Sequence, residues 1–186
     1  MNKIFCVIIL FKFNYALAIE RCNFELDQKF FQIELSYHVN DLRNERKASF
    51  DKVLLKGKMF GNSLRSVIKN LSVHIPIAEL NSANTKRDRT IYSYLFEKSK
   101  TIDIKIKELK RNLITLEIEL NNVRREVQFK YDSRDISMQS IGYIDLRDFK
   151  LEDIKTVIEK QENIKIWNDI FVDVRAKFKK NCVNEL

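Results

Sequence analysis

The stretch I164-K-I-W-N-D-I-F-V-D-V-R-A-K-F178 puts Ile164, Ile166, Ile170, Val172, Val174, Ala176 and Phe178 on one parity, broken only at Asn168. Side chains alternate between the two faces of a strand but recur every 3.6 residues on a helix, so this is the pattern of a half-buried strand. At about 15 residues, and about 3.3 Å per residue, it is far longer than the usual strand of about six.

The same period repeats upstream. Phe31, Ile33, Leu35, Tyr37 and Val39 alternate with Gln32, Glu34, Ser36 and His38, and Ile102, Ile104 and Ile106 with Asp103, Lys105 and Lys107. Ile114, Leu116, Ile118 and Leu120 alternate with Thr115, Glu117 and Glu119; after Asn121 and Asn122 the pattern resumes at Val127, Phe129 and Tyr131. Asparagine tolerates the positive φ of tight turns, so these two runs read as a hairpin. Weaker strands near Val53 to Phe60, Leu71 to Ile77 and Ile136 to Tyr143 bring the count to about eight. One helix is expected over Thr85 to Phe96, where Ile91, Tyr94 and Leu95 fall at i, i+3 and i+4, and a second over Leu151 to Gln161. The expected fold is all-β: a closed antiparallel barrel of eight strands with one or two short helices, closure removing exposed edges. A two-sheet sandwich is the alternative.

Three glycines and one proline in 186 residues leave no linker, so residues 19–186 read as a single domain. Apolar residues at 45% and charged residues at 32% exclude a disordered chain, and a mean hydropathy of -0.33 excludes a polytopic membrane protein. The chain carries +8. Both signs are interspersed, as in K105-I-K107-E108 and R124-R125-E126, with no basic block to track phosphates. The basicity reads as a solvated surface; no nucleic-acid partner is expected, and a weak attraction to anionic lipid headgroups is compatible with it.

Met1, Asn2 and Lys3 precede the apolar run Ile4 to Phe11, and small residues occupy A16-L17-A18. This is the layout of a secretory signal over residues 1–18, with Ile19 starting the mature chain and a periplasmic or secreted destination. The run is too short to span a bilayer, so no transmembrane segment is expected in the mature chain. The alternative is a buried first strand in a cytosolic protein. Cys22 follows I19-E20-R21, not the small residues a lipidation site needs. Removal of Cys6 with the leader leaves Cys22 and Cys182, and an even count in an oxidising compartment favours a disulfide over two free thiols. In a closed barrel, moreover, the start of the first strand lies beside the end of the last.

Catalytic chemistry is not visible. His38 and His74 each sit on a polar parity without a second ligand-type residue two positions on, so no metal site is expected. There is no G-x-S-x-G elbow, Gly-rich phosphate loop, H-E-x-x-H or C-x-x-C, and no carboxylate pair in an apolar context. Neither an enzyme nor a cofactor is expected.

The segment L71-S-V-H-I-P-I-A-E-L-N-S-A-N-T-K-R-D-R-T-I91 resembles the signature of the YceI family: an alternating strand, then S-x-D-T, four residues, R-D, and an apolar residue three further on. Here the S-x-D-T slot reads E79-L80-N81-S82, and Arg87, Asp88 and Ile91 match in spacing. E119-L-N-N-V123 and L146-R-D-F-K-L151 resemble two later family segments, so the likeness spans roughly Phe30 to Lys179. Departures are Ala48, Leu116 and Asn122, which stand where the family has glycine, and Tyr37, which falls at the family's strand-ending histidine.

The resemblance implies a lipocalin-like barrel that binds a polyisoprenoid. The partner would be a long-chain isoprenoid or quinone-like lipid held in the lumen in the cell envelope; the alternative is a ligand-free envelope interaction or stress-accessory module. A buried CH₂ contributes about 0.8 kcal/mol, so a five-carbon unit contributes roughly 3 to 4 kcal/mol. Association costs about 4 to 15 kcal/mol, so several units are needed. The expected lining takes Phe31, Ile33, Leu35 and Tyr37 from the first strand, and Ile104, Ile106, Leu116 and Ile118 from the middle ones. Phe129, Ile170, Val172 and Val174 complete it, unless all twelve only pack together. Arg87 and Asp88 either meet a headgroup at the mouth or form an ion pair that fixes the helix start. A homo-oligomer is left open.

Overall fold

The computed structural model describes residues 19–96 and 99–185. The expected leader and Cys6 lie outside them. From the first described residue, β1 (Ile19–Val39) turns at Asn40 into β2 (Asp41–Phe50), followed by the short β3 (Leu54–Gly57) and β4 (Phe60–Gly61). Helix α1 (Leu64–Lys69), β5 (Leu71–Pro76), a 3-10 turn at Ile77–Glu79 and β6 (Leu80–Asn81) lead into α2 (Thr85–Phe96). Then come β7 (Thr101–Leu109), β8 (Leu113–Leu120), β9 (Val123–Arg134) and β10 (Ser137–Asp145). A 3-10 turn at Leu146–Phe149, α3 (Glu152–Glu162) and β11 (Asp169–Glu185) complete the order. Among the described residues, no helix is long and apolar enough to cross a membrane.

All pairings between these strands are antiparallel, in the order β3-β5-β7-β8-β9-β10-β11-β1-β2-β6, with β4 beside β1. The expected class, all-β and antiparallel, is the observed one: a curled half-barrel. Its strand list is longer than the eight read from the sequence, because β3, β4 and β6 are fragments of two to four residues. The hydrogen-bonded path has two ends, β3 and β6, each separated by only three residues from the longer strand that precedes it.

Three details differ from the sequence reading. The last strand begins after Asn168, not at Ile164: Asn163 ends α3 at φ 51°, Ile166 makes only an isolated bridge to Val39, and the ladder then runs on through Glu185. The polar break at Asn168 is thus the boundary of the strand. β2 was not foreseen, because most of its residues are exposed and only Ala48 is fully buried, leaving no alternation to read. α1 was missed because six residues are too few for a helical period; Ser63 and Ser66 close it with a reciprocal capping box.

The Asn121–Asn122 hairpin is as expected, with φ of 55° and 58°, and the buried Asn121 amide donates to the carbonyls of Phe149 (2.9 Å) and Lys150 (3.1 Å). Cys22 and Cys182 face each other in the β1–β11 ladder, Cα atoms 4.0 Å apart, and are joined as a disulfide. A register shift between Asp27 and Gln32 bends β1, which lets its first part pair with β4 and its second with β2.

Candidate functional site

The alternating strands send their apolar parity to one face, and α2, α3 and the two 3-10 turns cover one end of it. Between sheet and helices a cavity of about 190 Å³ remains, its wall almost wholly carbon. The sheet contributes Leu35 and Tyr37 of β1, Ala48 and Phe50 of β2, and Ile102, Leu120 and Ile170 of β7, β8 and β11. Ile91 and Leu95 of α2 and Ile154 and Ile158 of α3 close it from above. Each helical pair is spaced i, i+4, so one stripe per helix faces inward.

Where α2 begins, Ala83 takes φ 56° and the Asn84 side chain accepts from the Arg87 amide (3.0 Å), as a helix N-cap does. Arg87 is only 6% exposed. Its Nε donates to Ser82 Oγ (2.9 Å), Nη2 to the Ser82 carbonyl (2.8 Å), and Nη1 to both carboxylate oxygens of Glu162 (3.2 and 3.1 Å). Glu162 also accepts from Arg46 (2.8 Å). Asp88 accepts instead from the amide and hydroxyl of Ser82. Arg87 and Asp88 therefore each grip Ser82, and Arg87 ties the start of α2 to the end of α3, giving each nitrogen of the buried guanidinium an acceptor. The Arg87 guanidinium also stands 5.8 Å from the centre of the Tyr37 ring, and burial pushes the Tyr37 phenol up from its ordinary value.

Of the twelve expected lining residues, Leu35, Tyr37 and Ile170 line this cavity, and so does Arg87. The others do not touch it. Ile33, Leu116, Ile118, Phe129 and Val172 are buried in the core, with Phe31, Ile104, Ile106 and Val174 packed against it. They lie on the same face of the sheet at a different depth from this cavity. Ile104 pairs with Ile118, whereas the cavity is reached one inward residue nearer the helices, at Ile102 and Leu120. Phe129 packs on Gly142 of β10, where a side chain would collide with its ring. The helical lining was legible as apolar stripes, but nothing local announced that those stripes face a space.

His74 Nδ1 contacts Asp103 Oδ1 across β5 and β7. Among the described residues, no group of three or more His, Cys, Asp or Glu could hold a metal ion.

The family model described as a YceI-like domain matches residues 22–178. The chain belongs to the YceI-like domain family. No curated protein matches it in sequence. Solved structures match its fold. A polyisoprenoid binding domain from Saccharophagus degradans, implicated in plant cell wall breakdown, is 15% identical, with a TM-score of 0.58, covering 85% of this chain and 98% of that one. Burkholderia cenocepacia BcnA is 8% identical, with a TM-score of 0.59, over 82% of this chain and 98% of that one. The Campylobacter jejuni YCEI protein is 15% identical, with a TM-score of 0.51, over 75% and 84%. Within this YceI-like domain the cavity and the Ser82–Arg87–Asp88 cluster adjoin, since Ser82 and Arg87 both stand in the cavity wall.

Proposed function

We propose that the protein binds the end of a long isoprenoid or quinone-like lipid chain in the cavity beneath α2 and α3, as a carrier or sequestering protein and not as a catalyst. The cavity carries this reading. Protein interiors normally leave few voids larger than a water molecule, and here a carbon-walled space, partly open to the surface, remains between the packed sheet and the helices. Family membership supports the same ligand class, as does the likeness to the polyisoprenoid binding domain from Saccharophagus degradans.

On this proposal the curled sheet acts as a closed barrel. β2 with β3, and β5 with β6, behave as two interrupted strands lying side by side: Phe50 pairs with Leu80, the Asp51 amide donates to Glu79 (2.9 Å), and Leu54 pairs with His74. Counting each interrupted pair as one strand makes a ring of eight beside β4. Export to the periplasm or beyond is supported by the leader pattern and by the Cys22–Cys182 disulfide, since such bonds persist in oxidising compartments.

The volume limits what enters. A dry apolar cavity of about 150 Å³ takes up benzene, so this one accommodates about one to two five-carbon units. Burying those contributes roughly 3 to 8 kcal/mol against an association cost of about 4 to 15 kcal/mol. A tightly held chain must therefore make further contacts outside the cavity. The core residues filling the rest of the inner face, Phe129 and Ile118 among them, favour the second reading, a ligand-free envelope module. Native mass spectrometry of protein purified from the export compartment decides. A co-purified lipid of several hundred daltons is expected; a clean apo mass from lipid-replete cells refutes the carrier.

A further inference from the structure

Outside the helix pair lies a groove of about 570 Å³. Its α2 wall bears Lys86 and Arg89 among hydroxyl side chains, and its α3 side is Ile154 and Val157. Ile154, which is buried, is the one residue lining both the groove and the cavity. Ile154 thus stands between the two. Two other surface hollows, one around Phe30 and Lys177 and one around Asn112 and Ile141, share no residue with the cavity.

Charge and chemistry differ across the partition. No carboxylate lines the groove, and among the described residues neither Lys86 nor Arg89 has an ion-pair partner. Val157, 42% exposed, leaves apolar surface open beside them. The two helices are tied to each other by Arg87 with Glu162, Thr90 with Gln161 (3.1 Å) and Tyr94 with Asp153 (3.5 Å). The last two are exposed and resist separation weakly.

We propose that this groove is the outer half of the ligand site and its entrance: an anionic headgroup of phosphate chemistry rests against Lys86 and Arg89, and the chain passes Ile154 into the cavity. The inference rests on the cavity being a lipid site, and it supplies the contacts the cavity is too small to provide. Cations on a half-apolar surface suit a charged group at the end of a hydrocarbon chain, and a phosphate accepts charge-assisted hydrogen bonds from both.

The test uses the disulfide-bonded mature protein and two probes of equal chain length, a twenty-carbon prenyl monophosphate and the twenty-carbon prenyl alcohol, each titrated below its self-association concentration. The wild type should bind the phosphate about tenfold more tightly at low salt, a preference that shrinks as salt screens the two cations. In Lys86→Ala/Arg89→Ala the affinity for the phosphate should fall to near that for the alcohol, and the alcohol should still bind; both residues are exposed on α2, and thermal melts check that the variant folds. Equal affinities in the wild type, or a preference that survives in the variant, overturns the headgroup site. Displacement of the prenyl phosphate by equimolar inorganic phosphate overturns it too, by revealing a free-anion site. If neither probe binds, the alcohol's failure shows that the cavity reading itself has fallen and the groove with it.

Discussion

Gly142 should be irreplaceable only while Phe129 is present. A Cβ built on Gly142 would lie 2.5 Å from Cγ and Cε1 of Phe129 and closer still to Cδ1. Phe129 is 1% exposed and cannot retreat without displacing the core. Gly142→Ala should therefore cost about 1 to 3 kcal/mol, as overpacking does, and Phe129→Ala alone about 3 to 5 kcal/mol through lost burial and the void it leaves. Once the ring is gone the Cβ has room, so Gly142→Ala/Phe129→Ala should be no less stable than Phe129→Ala. The coupling is then about 1 to 3 kcal/mol, against near zero for independent sites. Urea unfolding followed by Trp167 fluorescence and far-ultraviolet circular dichroism, with the disulfide intact, measures all four corners of the cycle. Additive losses would refute the claim that the ring occupies the space over the glycine and plugs the inner face there.

Replacing both Cys22 and Cys182 by serine opens a covalent loop spanning 160 residues; stability should fall by about 2 to 4 kcal/mol, read as a lower urea midpoint, and an unmoved midpoint would show that the β1–β11 ladder alone sets it. Ile170→Trp adds bulk to the cavity wall and should cut co-purified lipid while circular dichroism still reports the sheet; undiminished lipid would move the site elsewhere. The Arg147 side chain, hydrogen-bonded to Asp145, holds that carboxyl below its ordinary 3.8. Its folded value is depressed, so the stability it contributes is present above about pH 4 and is lost as pH falls through the lower folded value. Asp145→Asn should flatten that acid limb in pH-dependent urea midpoints, and an unchanged limb would count against the pair.

What sequence alone determined is whatever depends on neighbours two to four residues away. Period two marked β1, β7, β8, β9 and β11, the paired asparagines marked the hairpin, and Ile91, Tyr94 and Leu95 marked α2. The segment through Ser82, Arg87 and Asp88 marked the family. Cys22 and Cys182 were paired from the order of the strands, and they pair in the structure. β2 escaped because an exposed, charge-rich strand has no buried face to imprint a pattern. Only the tertiary structure decided depth along the inner face. Leu120 and Ile118 share parity and chemistry and both are buried, yet only the first lines the cavity, because α2 and α3 roof only one end of the sheet. Parity is set by the backbone of a single strand, whereas an unfilled volume exists only after several elements have failed to meet.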